Sequence, residues 1–89
     1  MTIQWTGYLK YRAVLRGFDL NEIEQILRFS EERYLDSDTG RRVVVGHHHR
    51  QLVLIPYDQD GDTVTPVTVH ATTRQQVNIR LRVGRLRHE

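Results

Sequence analysis

Two N-terminal helices, a four-stranded antiparallel sheet and a C-terminal helix, an α+β class, are what this 89-residue chain predicts. Three observations carry that prediction. Up to Phe29, apolar side chains recur three and four residues apart; from Glu31 the pattern becomes short β-branched runs separated by turn residues; from Thr72 it returns to helical, arginine-rich sequence. Connections between the β runs are short, and short connections join neighbouring strands as an antiparallel meander. A chain of this length holds one small domain, residues 1–89, around a single modest core.

In chain order, Thr6 to Leu15 predicts the first helix, with Trp5, Tyr8, Leu9, Arg12, Leu15 and Arg16 at helical spacing and Gly17 ending it. Asp19 caps a second helix, Leu20 to Phe29, in which Glu22 completes a capping box and Leu20, Ile23, Ile26 and Leu27 form the apolar stripe. Glu22, Glu24, Glu31 and Glu32 read as a solvated acidic face. Arg33 to Asp36 reads as a strand, Asp38-Thr39-Gly40 as a turn, and Arg41 to His48 as a second, valine-rich strand. Leu52 to Tyr57 is nearly all apolar, which predicts a central strand buried on both faces. Asp58 to Asp62 reads as a turn and Thr63 to Ala71 as the fourth strand, where Pro66, lacking an N–H, marks an edge or a bulge.

The strand-to-helix junction at the end of this run gathers the polar chemistry. Thr72 is the expected N-cap and Gln75 the residue that reaches back to it. The helix start then offers free N–H groups and a positive dipole end beside His70, Thr73 and Arg74, a seat for a phosphate or carboxylate. Charge is distributed to match. From His70 to the end, five arginines face the single acid Glu89, a net +4, so residues 1–69 carry −2 of the overall +2. Twelve of the thirteen basic residues are arginine, the side chain suited to bidentate phosphate contact, which points to an acidic partner, nucleic acid or protein.

Other patterns exclude more than they propose. In a strand, His47 and His49 share a face and His48 points away, so at most two meet one ion; with no cysteine to add, they read as an exposed hairpin end and no metal site. Asp58-Gln59-Asp60-Gly61-Asp62 resembles the opening of a calcium loop, but the twelfth position is Val69 and strands flank it. There is no phosphate-binding glycine loop, no Ser-His-Asp or Cys-His pattern, and no implied cofactor. With neither a basic head before a long apolar run nor an apolar run long enough to span a bilayer, the chain reads as soluble and cytoplasmic. What remains for catalysis is a set expected to meet on one sheet face: His70, Thr73, Arg74, Arg80, Arg12, Tyr11 and Tyr57. Cleavage of RNA by its 2′-hydroxyl needs a base, an acid and cationic stabilisation of the phosphate, all within reach of histidine, tyrosine and arginine without a metal.

The stretches Tyr11-Arg12-Ala13-Val14-Leu15-Arg16-Gly17-Phe18-Asp19, Arg41-Arg42-Val43-Val44-Val45-Gly46 and Val69-His70-Ala71-Thr72-Thr73-Arg74-Gln75-Gln76, with Arg80 and Gly84-Arg85 after them, resemble the RelE-like toxin superfamily. Within it the chain looks like the Brn-type ribonuclease toxins, and most of all like a related small cyanobacterial domain family. The resemblance implies a RelE-like fold and a metal-independent endoribonuclease, the toxin of a type II toxin–antitoxin pair, inhibited by a small antitoxin protein encoded nearby. By position it implies His70, Arg74 and Arg80 as catalytic residues, with Arg12 and Thr73 contacting RNA phosphate and Arg82 and Arg85 extending that contact along the C-terminal arginines. The rival reading is a non-enzymatic RNA- or protein-binding module that uses the arginine-rich helix. A third is a homodimer formed along the edge of the Pro66 strand.

Overall fold

The computed structural model describes every residue from Met1 to Glu89. Its elements run β1 (Thr2–Ile3), α1 (Gly7–Arg16), α2 (Leu20–Phe29), β2 (Arg33–Asp36), β3 (Arg42–His48), β4 (Gln51–Asp60), β5 (Thr63–Pro66), β6 (His70–Ala71), α3 (Arg74–Arg82) and β7 (Leu86–His88). The class is α+β, but the sheet is mixed and has seven strands instead of four, in the order β1-β5-β4-β3-β2-β7, with β6 also on β4. The expected antiparallel meander is its centre, β2 through β5, and β4 is the buried middle strand. The added strands are two or three residues long, too short for an alternating pattern to show in sequence.

Local chemistry explains the boundaries. Thr6 Oγ1 accepts the Leu9 N–H at 3.0 Å to start α1, and Gly17, at φ 75°, ends it in a left-handed turn that few other residues adopt without strain. Asp19 Oδ1 accepts the Asn21 N–H at 2.7 Å to start α2. The expected fourth strand, Thr63 to Ala71, is broken at Pro66. Before the break β5 pairs with Tyr57 to Asp60, and after it β6 pairs with Val53 and Leu54, so both occupy the same side of β4 in succession. The turn read at Asp58 to Asp62 shrinks to Gly61-Asp62, because Asp58, Gln59 and Asp60 stay in the ladder with β5. On the outer side of β5, β1 pairs in parallel with Thr63 and Val64, so the strand ending at Pro66 is not the free margin of the sheet.

Strand alternation sends side chains to two faces. On one, Val44, Val53, Ile55 and Tyr57 meet Leu9, Ala13, Ile23, Ile26 and Leu27 of α1 and α2. A Cβ on Gly46 would lie 2.7 Å from Ile26 Cγ2, so only glycine lets α2 approach β3 this closely. On the other face, Tyr34, Val43, Val45, Leu52 and Leu54 pack beneath α3, whose one fully buried residue is Val77. One short helix cannot cover that face. Leu54 and Pro56 are left as part of an open groove between β6 and α3. No helix is long and apolar enough to cross a membrane.

Candidate phosphate-binding groove

The β6–α3 junction is shifted by one residue from the sequence expectation. Thr73 is the N-cap, with Oγ1 accepting the Gln76 N–H at 3.1 Å. Thr72 is instead buried in sheet register: its N–H bonds the Leu52 carbonyl at 2.9 Å, and its hydroxyl donates to Gln76 Oε1 at 3.2 Å. Gln75, the expected partner of the cap, is exposed. Thr73 is therefore the capping residue, its oxygen accepting within the helix while its O–H is left to donate.

Pairing with Leu54 sets His70 at the mouth of the groove, a volume of about 400 Å³ bounded by Leu54, Pro56, Gln76, Arg80, Arg85 and Asp36 among others. From the other side, Arg16 at the end of α1 reaches round the sheet. Its Nη1 donates to the Val69 carbonyl and stands 3.1 Å from His70 Nδ1. A guanidinium has only donors, so Nδ1 must accept, and the neutral ring carries its proton on Nε2. Partial burial, then the fields of Arg12 and Arg80, hold the His70 pKa below the ordinary histidine value. The neutral, donating tautomer is thus the resting form.

The arginines divide into engaged and free. Arg74 is engaged: Nη1 and Nη2 bond the two Glu32 oxygens at 2.6 and 2.9 Å, and the Tyr34 hydroxyl donates to Glu32 Oε2 at 2.7 Å. The Arg74 hydrogen bond holds Glu32 below the usual glutamate range, while burial and Glu32 push Tyr34 up to about 12. The expected phosphate clamp at Arg74 is therefore an ion pair that anchors α3 to the approach of β2, lining a separate groove with His47 and Gln25. Arg85 lies beyond α3 in the turn before β7; its Nε bonds Asp36 at 3.0 Å and its Nη1 stands 3.7 Å from Asp38. It still borders the His70 groove. Arg82 is exposed on α3 and lines no part of that groove.

Arg80 lines the groove with no carboxylate partner. Arg12 is likewise unpaired; its guanidinium sits 5.7 Å from the Tyr8 ring centre, and its buried Nε has no hydrogen-bond acceptor. Sequence reading selected Arg12, His70 and Arg80, which the fold brings into one field, and missed Arg16. The missing signal was available, since Arg16 follows Arg12 by four residues and so stands on the same side of α1. Two tyrosines do not join them. Tyr57 is buried under α1 and α2 with its hydroxyl accepting from Arg33 at 3.2 Å, and Tyr11 is exposed on α1.

The histidine run also differs from its reading as an exposed hairpin end. Only His49 and Arg50 form the turn, His49 at φ 55°. His48 is buried on the α2 side, its Nε2 accepting the Asp19 N–H at 2.8 Å and its ring edge-on to Phe18 at 5.1 Å. Alternation along β3 turns His47 to the opposite face. No group of three metal-ligating side chains converges anywhere in the structure.

No family model matches the chain, and no curated protein or solved structure is significantly similar to it.

Proposed function

We propose that the protein binds the phosphate backbone of RNA in the groove beneath α3, with Arg80, Arg12 and Arg16 around the His70 ring. One observation carries this reading: His70 presents an N–H donor, its tautomer set by the Arg16 contact and its pKa lowered by partial burial and by the charges of Arg12 and Arg80, two guanidiniums that no carboxylate neutralises. Such a cluster offers only donors and positive charge, which suits oxygens bearing negative charge. Base identity is not read by such contacts, so affinity falls with added salt and depends weakly on sequence.

The test is fluorescence anisotropy of a labelled single-stranded RNA at two salt concentrations, with the same samples run on a gel to follow cleavage. Arg80→Ala is expected to weaken binding by about ten- to a hundredfold, the range for hydrogen bonds to a charged group. Affinity independent of salt and untouched by Arg80→Ala ends the proposal.

A second reading, the endoribonuclease toxin of a RelE-like type II pair acting in the cytoplasm with a small antitoxin partner, is favoured by the same neutral ring. A phosphate that draws Arg16 aside would free the Nδ1 lone pair to accept the 2′-hydroxyl proton as the oxygen attacks phosphorus; the P–O5′ bond breaks, leaving a 2′,3′-cyclic phosphate, and the departing 5′ oxygen takes a proton from water. Arg80 and Arg12 would then oppose the growing negative charge. In this scheme Arg74 has no part, because Glu32 holds both of its terminal nitrogens. RNA loss that His70→Ala abolishes while binding persists selects the enzyme; intact RNA with every variant selects the binding module.

A further inference from the structure

Four large apolar side chains of α1 face solvent: Tyr8, Tyr11, Val14 and Leu15 are 57%, 62%, 80% and 64% exposed. Tyr8, Tyr11 and Leu15 are spaced three and four residues apart and form one row, with Val14 beside it. The inner side of the same helix, Leu9 and Ala13, is fully buried in the core. Apart from the Arg12 guanidinium over the Tyr8 ring, the exposed row lies outside both core clusters, and it does not line the His70 groove. A contiguous apolar row of this kind on a helix already fixed to a domain is the geometry on which a second amphipathic helix lies.

Charge selects the occupant. Lys10 borders the row on one side and Arg12 and Arg16 on the other, and α1 contains no acid at all. A second copy of the chain laid row against row would set these cations against their own kind. Tyr8 and Tyr11 are rings on which bases can stack, but Val14 and Leu15, the other half of the row, are aliphatic and suit apolar side chains alone, and the oligouridylate arm of the experiment separates these two occupants. We propose that the outer face of α1 docks an acidic amphipathic helix of a partner protein, with apolar residues on Tyr8, Tyr11, Val14 and Leu15 and carboxylates on Lys10, Arg12 and Arg16. This surface stands whether or not the groove binds RNA. Only its coupling to the groove rests on that reading: Arg16 also holds His70, so a partner carboxylate that takes Arg16 competes with RNA for it.

The experiment titrates labelled probes into the full chain: a synthetic peptide of leucine–glutamate heptads, its leucine–lysine counterpart, an oligouridylate and phosphatidylglycerol vesicles. The glutamate peptide is expected to bind and the lysine peptide not. Leu15→Ser, at an exposed position where the fold is kept and where no new charge meets Arg12 or Arg16, should weaken the glutamate peptide by at least about tenfold while RNA binding persists. Arg80→Ala should do the reverse, weakening RNA and leaving the peptide. No binding of the glutamate peptide, equal binding of both peptides, or indifference to Leu15→Ser overturns the proposal. So does a dimer of the chain, or vesicle binding, that Leu15→Ser abolishes, since the row then belongs to a second copy or to lipid. Peptide binding without RNA binding removes the phosphate reading and keeps this one.

Discussion

The two faces of one sheet have been given opposite tasks. Beneath α1 and α2 the interior is a cluster of eleven buried residues, tight enough that a methyl on Gly46 has no room. Beneath α3 the cluster has seven, and the remaining floor is ringed by the Arg74–Glu32 and Arg85–Asp36 ion pairs and by the His70 groove. The strands are the same; the helices differ. Two helices deliver a full apolar stripe, whereas α3 delivers Val77 with Leu81 partly buried, so polar groups occupy what it leaves open. The difference teaches that an open, polar-rimmed groove arises here from incomplete coverage of a sheet by an arginine-rich helix.

That contrast can be broken by substitution. Val53→Ala, on the well-covered face, should cost about 2–3 kcal/mol by denaturant unfolding, and the identical truncation Val77→Ala beneath α3 about 1–2 kcal/mol. Equal costs would erase the distinction. Gly46→Ala should cost about 1–3 kcal/mol through overpacking. In a double-mutant cycle with Ile26→Ala the two losses should sum to more than the double variant shows, because removing Cγ1 and Cγ2 makes the room that the new methyl needs; additive losses would mean the close approach is not the cause.

Smaller effects follow at the charged rim, and pH sharpens them. Glu32 is depressed in the folded state, so its contribution is present above the ordinary glutamate pKa of about 4.3 and is lost as pH falls through the lower folded value. With Arg74 half exposed, the loss should stay under about 1 kcal/mol, and Glu32→Gln should flatten the acid limb of the stability profile. His70 is depressed as well, but as a base. Unfolded chains take up its proton near pH 6.5 before folded ones do, so stability declines slightly as pH falls below about 6.5. RNA affinity should move the opposite way, rising as a protonated ring releases Arg16 and adds charge, and His70→Gln should remove that rise. Affinity flat across this range would place His70 outside the interface.

Much of this architecture is written in local sequence. The α2 helix spans Leu20–Phe29 as expected because a capping aspartate precedes an unambiguous stripe, and Gly17 ends α1 for the reason any left-handed residue does. The meander is legible because valine runs alternate with turn residues. The short strands β1, β6 and β7 are not, since each exists only because a distant strand offers it hydrogen bonds. The same limit separates the arginines. Nothing near Arg74 announces that Glu32, 42 residues earlier, will take both of its nitrogens, or that Asp36, 49 residues before Arg85, will do likewise. Charge composition pointed to an anionic partner, and tertiary pairing decided which guanidiniums are left without a carboxylate.

The margins of the sheet carry a consequence for how the chain folds. The meander from β2 to β5 can assemble from hairpins whose partners are near in sequence, but β1 waits for Thr63 and β7 for Leu35, contacts that each close over more than half of the chain. Loop closure on that scale comes late and slowly. Until β7 docks, β2 presents an open row of backbone donors and acceptors. During synthesis the last strand is thus a latch, and the interval before it closes is when this protein is most exposed to pairing with the wrong neighbour.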